Sequence, residues 1–236
     1  MHLRIKTILS ATLLSGAIAS SMPLHAASSP AELGGFSKTY ESWFDQAAAE
    51  FNVPVELLQA IAYAESRWQP IVPKGKGRKN GERSIEVDWH AGEMPPSYGV
   101  MGLRNDTHFG TSLTQAAKLI REVPETLVTD TRANIRGAAA LLAQYGDRKT
   151  RDTPLEQWEE AVAKYSGIPE REIAELHTHE ILSAIRDGRN SEHFRIRQRH
   201  VDLEKVYGKD KLHRLSSSRI IVDFGKGGTS ISLPNQ

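Results

Sequence analysis

"AIAYAESRWQP", residues 60–70, decides the fold and raises the functional question. Leu57, Leu58, Ile61 and Ala62 recur three and four apart, which is the stripe of a helix with one buried face. Glu65 falls on that same stripe, one turn after Ile61. The helix is expected from about Pro54 to Arg67. Asn52 stands where a cap would, Pro54 suits a first helical turn, and Pro70 and Pro73 end it. A carboxylate there is either an amphipathic residue at the rim, paired with Arg67 or Arg136, or a functional acid at the edge of a cleft.

Working outward, the neighbouring segments are also helical. From Lys38 to Phe51, Tyr40, Trp43, Phe44, Ala47, Ala48 and Phe51 keep helical spacing. "SLTQAAKLIR" reads as a helix capped by Thr111 or Ser112, and Pro124 starts a short one. "DTRANIRGAAALLAQYG" is capped near Asp130 or Thr131, and its small residues permit close packing. Thr153, Pro154 and Glu156 form a capping-box pattern before the next helix. "PEREIAELHTHEILSAIRDG" has proline at its start and glycine at its end. The class is therefore all-α or nearly so. "SSSRIIVDF" hints at one short strand, and residues 206–236 read as a tail or truncated linker.

Residues 73–96 form a long polar excursion, basic and glycine-rich at first, then acidic from Glu86 to Glu93 around Trp89. A connection of that length in a compact domain is usually functional or structureless. "SYGVMGL", residues 97–103, follows as a glycine-punctuated apolar turn. Residues 1–26 carry Arg4 and Lys6, a short apolar stretch and small residues ending at Ala26, the pattern of a secretory signal peptide. Residues 27–37 read as a flexible lead-in, and residues 38–205 as the folded domain.

The 236 residues hold 30 basic and 29 acidic side chains, a balance that argues against a general nucleic-acid binder. There is no cysteine, so neither disulfides nor thiol chemistry is available. No segment after residue 26 has the roughly 18 apolar residues of a spanning helix. The chain reads as an exported soluble protein, periplasmic or secreted. His177 and His179 stand two apart on a helix, so they do not share a face as zinc ligands four apart would. With His193 and His200 they read as surface histidines, and no metal or cofactor is expected. "GKGRKNGER" lacks the spacing of a phosphate loop.

A buried carboxylate without a cationic partner keeps its proton to higher pH, and such an acid can protonate a leaving oxygen. Glycoside cleavage needs that step. Four fragments bear on the reading: "ESRWQP" at 65–70, "SYGVMGL" at 97–103, "NIRGAAALL" at 134–142 and "AVAKYSG" at 161–167. In order and placement they resemble the soluble lytic transglycosylases, a family of lysozyme-like fold, over about residues 38–170. The likeness is closest to the branch often fused to an amidase domain, which implies a cell-wall amidase as a partner.

The resemblance implies Glu65 as catalytic acid and then base, with Ser66 orienting its neighbours. Ser97, Gly99, Met101 and Gly102 match the turn that shapes the cleft floor. Tyr165 matches a tyrosine that faces the carboxylate and touches substrate, although a core aromatic with a satisfied hydroxyl explains it equally. Gly99 and Gly102 also suit a plain tight turn, and Asn134 a helix start. The family's "G-L-M-Q" is here Gly102-Leu103-Arg104-Asn105, with Asn105 in the place of the substrate-binding glutamine. Its "A-Y-N-A-G" is here Ala163-Lys164-Tyr165-Ser166-Gly167.

The implied function is cleavage of the MurNAc–GlcNAc β-1,4 bond in peptidoglycan glycan strands by a monomer, leaving a 1,6-anhydro ring. Two other readings stand beside it. One is a non-catalytic glycan-binding module of the same fold. The other is a hydrolase of the muramidase or chitinase type, with Glu86, Asp88 or Glu93 activating water.

Overall fold

The computed structural model describes residues 30–76, 84–88, 96–191, 194–225 and 228–233. The signal-peptide segment, Trp89, Glu93, His193 and most of the 73–96 excursion lie outside the described residues. Helix α1 runs Pro30–Phe51, so its backbone takes in residues 30–37, which the sequence reads as a lead-in. Tyr40, Phe44, Ala47 and Ala48 are buried along one side of it. Asn52 closes α1 in the left-handed region, φ +54°, and accepts from the Arg151 guanidinium at 3.0 Å. It does not cap the next helix: α2, Val55–Ser66, starts from Pro54 without a side-chain cap.

Helix α2 is the centre of the molecule. Leu57, Leu58, Ala60, Ile61 and Ala62 are fully buried, so it is covered well beyond a single stripe. It packs against α1, against α5 (Thr131–Gly146) and against α7 (Arg171–Asp187). Arg67 and Trp68 both take positive φ and turn the chain back on the helix. The Trp68 indole then donates to the Gln59 carbonyl at 3.0 Å and packs on Phe44, ring centroids 5.0 Å apart. That turn delivers the chain to β1, Ile71–Pro73, which pairs in parallel with β2, Ile85–Val87.

Strands β3, Ser97–Tyr98, and β4, Leu103–Arg104, are antiparallel and enclose the glycine-rich turn. Short helices α3, Ser112–Ile120, and α4, Pro124–Thr129, lead into α5, whose first turn is capped by Asp130 accepting from the Ala133 amide at 3.0 Å. Gly137, Ala138 and Ala140 lie where neighbouring helices crowd α5. The expected capping box does not form. Residues Leu155–Trp158 make a 3₁₀ turn, α6 starts later at Glu159–Ser166, and the Thr153 hydroxyl accepts from the Thr150 amide at 2.9 Å.

The C-terminal segment folds rather than trailing away. After the β5–β6 pair (Arg189–Asn190 with Arg195–Ile196) come α8, Leu203–Tyr207, and α9, Lys209–Leu215. An antiparallel hairpin of β7, Ile221–Gly225, and β8, Gly228–Ser232, follows. Leu215 and Ile231 are buried, and β8 packs on α7. Burial on α7 is what the local sequence does not reveal. No described helix is long and apolar enough to cross a membrane.

Candidate active site

Glu65 sits on the last turn of α2, one residue before the helix ends. Its side chain is only 10% exposed, yet it is not alone there. Oε1 lies 3.3 Å from Nε2 of His177 on α7, and Oε2 lies 3.8 Å from an Nη of Arg104 on β4. Both expected partners are engaged elsewhere. Arg136 forms a two-pronged pair with Glu50, and Arg67 bonds back to the Tyr63 carbonyl. The premise of a carboxylate without a cationic neighbour is therefore corrected: two cationic or potentially cationic groups flank it.

The turn after β3 lies directly on Glu65. Gly102 has φ +63°, and a Cβ there would stand 2.7 Å from Cβ and Cγ of Glu65. Only glycine takes both that backbone and that proximity without displacement. Gly99, φ +70°, is pressed in the same way against Asn134. Its amide donates to the Ile71 carbonyl at 2.7 Å, so β1 stands between β2 and the turn.

Four helices hold this turn by its backbone. From α2, the buried Ser66 hydroxyl lies 2.7 Å from the Val100 carbonyl and 3.0 Å from the Ala62 carbonyl. From α5, the fully buried Asn134 accepts from the Met101 amide at 2.8 Å, and donates to the carbonyls of Tyr98 (3.2 Å) and Leu127 (2.9 Å). From α6, the Tyr165 hydroxyl donates to the Met101 carbonyl at 2.8 Å. From α3, the Ser112 hydroxyl accepts from the Arg104 amide at 2.8 Å. Buried backbone groups left unpaired are costly, and here each helix contributes a side chain that pairs one.

Burial pushes the Tyr165 phenol well above its ordinary range, and the nearby Glu65 charge pushes it further. It therefore stays a neutral donor. Arg104 lays its guanidinium over the Phe109 ring, 4.5 Å from the centroid, which fixes the side chain beside Glu65.

Most of the residues expected from the sequence thus gather at one point, with roles the sequence did not separate. Ser66, Gly99, Gly102, Met101 and Tyr165 build and hold the turn, and Met101 is fully buried. Ser97 is half-buried at the head of β3. Asn105 is exposed and accepts from the Thr114 hydroxyl at 3.2 Å. Asn134 is a hub between segments, not a local helix-start residue. Asp88 pairs with Lys74 at 3.1 Å, and Glu86 is exposed on β2.

His177 and Arg104 are the residues missed. His177 is corrected from a surface histidine to a partner of the buried carboxylate. The signal was present: it stands three after Ala174 and four before Ile181, both buried, on the apolar stripe of α7. It is the same anomaly that marks Glu65 on α2.

The sequence matches a family model described as the transglycosylase SLT domain over residues 42–181. No curated protein matches it.

Proposed function

The chain belongs to the transglycosylase SLT domain family, lytic transglycosylases of lysozyme-like helical fold, and from that premise we propose that it cleaves the MurNAc–GlcNAc bond of peptidoglycan with Glu65 as the acid and then the base. The carrying observation is Glu65 itself, nearly buried at the end of α2 against the Gly102 turn, with Arg104 and His177 at its two oxygens.

In this reading Glu65 gives a proton to the glycosidic oxygen as the bond to the anomeric carbon breaks. The muramoyl 6-hydroxyl then bonds to that carbon, and its proton returns to Glu65. The N-acetyl group of the substrate stabilises the cation between the two steps, so one carboxylate suffices. Asp88 is engaged with Lys74, and β1 separates β2 from the turn, so a water-activating second carboxylate gains no support from these positions. Because peptidoglycan lies outside the cytoplasm, the proposal includes export directed by residues 1–26.

A second reading has one observation in its favour. Arg104 stands where the family pattern has an uncharged residue, and it engages the carboxylate. A glycan-binding module without turnover would tolerate that. The test is to incubate the purified protein and its Glu65→Gln variant with peptidoglycan and to weigh the soluble products. Anhydro-muropeptides from the wild type alone support the proposal. Products heavier by one water indicate a hydrolase. Sedimentation with peptidoglycan but no products supports the binding module. The variant should keep its fold: glutamine fills the same space and its single carbonyl oxygen still accepts from one of the two neighbours, so the expected stability change is at most about 1–3 kcal/mol, the scale of one polar group left unpaired.

A further inference from the structure

The acid step needs a proton at Glu65, and Arg104 and His177 differ in what they can supply. A guanidinium does not give up its proton in a protein. Arg104 can therefore hold the carboxylate but cannot feed it. An imidazole can both hold a carboxylate and exchange a proton with it. His177 is the neighbour that meets this condition: its Nε2 is 3.3 Å from Oε1, and its side chain is only 20% exposed.

Resting on the function proposed above, we infer that His177 is a positioning residue that shares one proton with Glu65 across the Nε2···Oε1 contact. It keeps Glu65 supplied as an acid beside a permanent cation. Such contacts are often long in the free enzyme and tighten with substrate bound. The proton count closes. One proton belongs to the His177–Glu65 pair before the reaction. It passes from the carboxyl group to the glycosidic oxygen as the C–O bond breaks. The 6-hydroxyl proton then replaces it on Glu65 as the new C–O bond forms, and the pair ends as it began. His177 touches neither leaving group nor nucleophile and acts only through Glu65.

The geometry also explains why this histidine takes the part and its neighbour does not. His179, two residues on, faces another side of α7, where its Nε2 meets the hydroxyls of Ser216 at 3.1 Å and Ser183 at 3.3 Å. Among the described residues, the other ionisable groups placed beside Glu65 are Arg104 and Tyr165, and burial keeps the Tyr165 phenol protonated and committed to Met101. Neither accepts and returns a proton as an imidazole does.

The test uses the full purified protein on peptidoglycan, with His177→Gln and His177→Ala. The expected result is a fall in kcat of about tenfold or more in both variants, the usual scale of a misplaced acid–base group. KM stays within about twofold, because substrate binding is not the step affected. Added imidazole restores part of kcat in His177→Ala and none in Glu65→Gln. The inference is overturned if wild type releases anhydro products and both His177 variants match it. It is overturned in favour of a purely structural role if kcat and melting temperature fall while KM rises, and imidazole rescues nothing. A wild type that makes no anhydro products removes the proposed function and this inference with it, which separates that failure from the first.

Discussion

Tyr165 shows how one side chain can serve the fold and the site at once. Its ring is buried, and its hydroxyl pairs with the Met101 carbonyl in the turn over Glu65. Tyr165→Phe leaves that carbonyl without its partner in a place water does not reach. The expected cost is about 1–2 kcal/mol, read from chemical denaturation. Turnover should fall by about tenfold or less, through a loosened turn and not through loss of a reacting group. A variant as stable as wild type would show that the hydroxyl contributes nothing to holding the turn. The sequence alone left Tyr165 divided between core aromatic and substrate contact. The bond to Met101 gives it a part in the scaffold, and its place near the Glu65 charge is compatible with a substrate contact as well.

At the scale of elements, the turn between β3 and β4 is held by a backbone bridge from Gly99 to Ile71 of β1 and by side chains sent from α2, α3, α5 and α6. Asn134 sends the most. Asn134→Ala would strip partners from the Met101 amide and the Tyr98 and Leu127 carbonyls together. The expected loss is about 3–5 kcal/mol by urea unfolding, at the upper end for one substitution. Turnover should collapse even under conditions where the variant stays folded. A loss under 1 kcal/mol would mean that the turn keeps its shape unaided.

The same element marks the limit of what could be read in advance. The periodicity of residues 38–51, 54–67 and 131–146 exposed the helices, because burial on one side leaves a local trace. Glu65 was legible as a break in such a trace. Asn134 was not, because its partners lie 33 and 36 residues away and a helix-start asparagine looks the same in one sequence. His177 leaves a trace on the apolar stripe of α7, which its spacing from His179 does not reveal. Asn105 is exposed and its Oδ1 accepts from Thr114 on α3, a contact that its place in the motif does not reveal.

Across the whole molecule, α9 and the residues after it close over the side of α7 that faces away from Glu65. The buried Glu175 is held by Lys211 of α9 at 2.6 Å and by Arg171 at 3.0 Å. His179 lies buried beside it, bonded to Ser216 just past α9. Burial, followed by the charge of Arg186, lowers the His179 imidazole below its ordinary 6.5. The unfolded chain therefore takes up a proton at this position as pH falls below 6.5, while the folded chain resists it. Stability is full above 6.5 and is lost as pH drops. Glu175 adds a second loss of the same sign at lower pH. Burial raises its carboxyl, but Lys211 and Arg171 together outweigh burial and hold it below 4.5. Its stabilising share is present above 4.5 and disappears as pH falls through the folded value. The two windows can be separated by substitution. His179→Gln keeps a polar group for Ser216 but cannot titrate, so its melting temperature should fall less than that of wild type as pH drops below 6.5. Once pH has fallen below the folded value of His179, the two proteins should lose stability in parallel, because Glu175 is intact in both. Parallel loss across the whole range would remove His179 from the account and leave the closure of the C-terminal segment to Glu175 and its two cations.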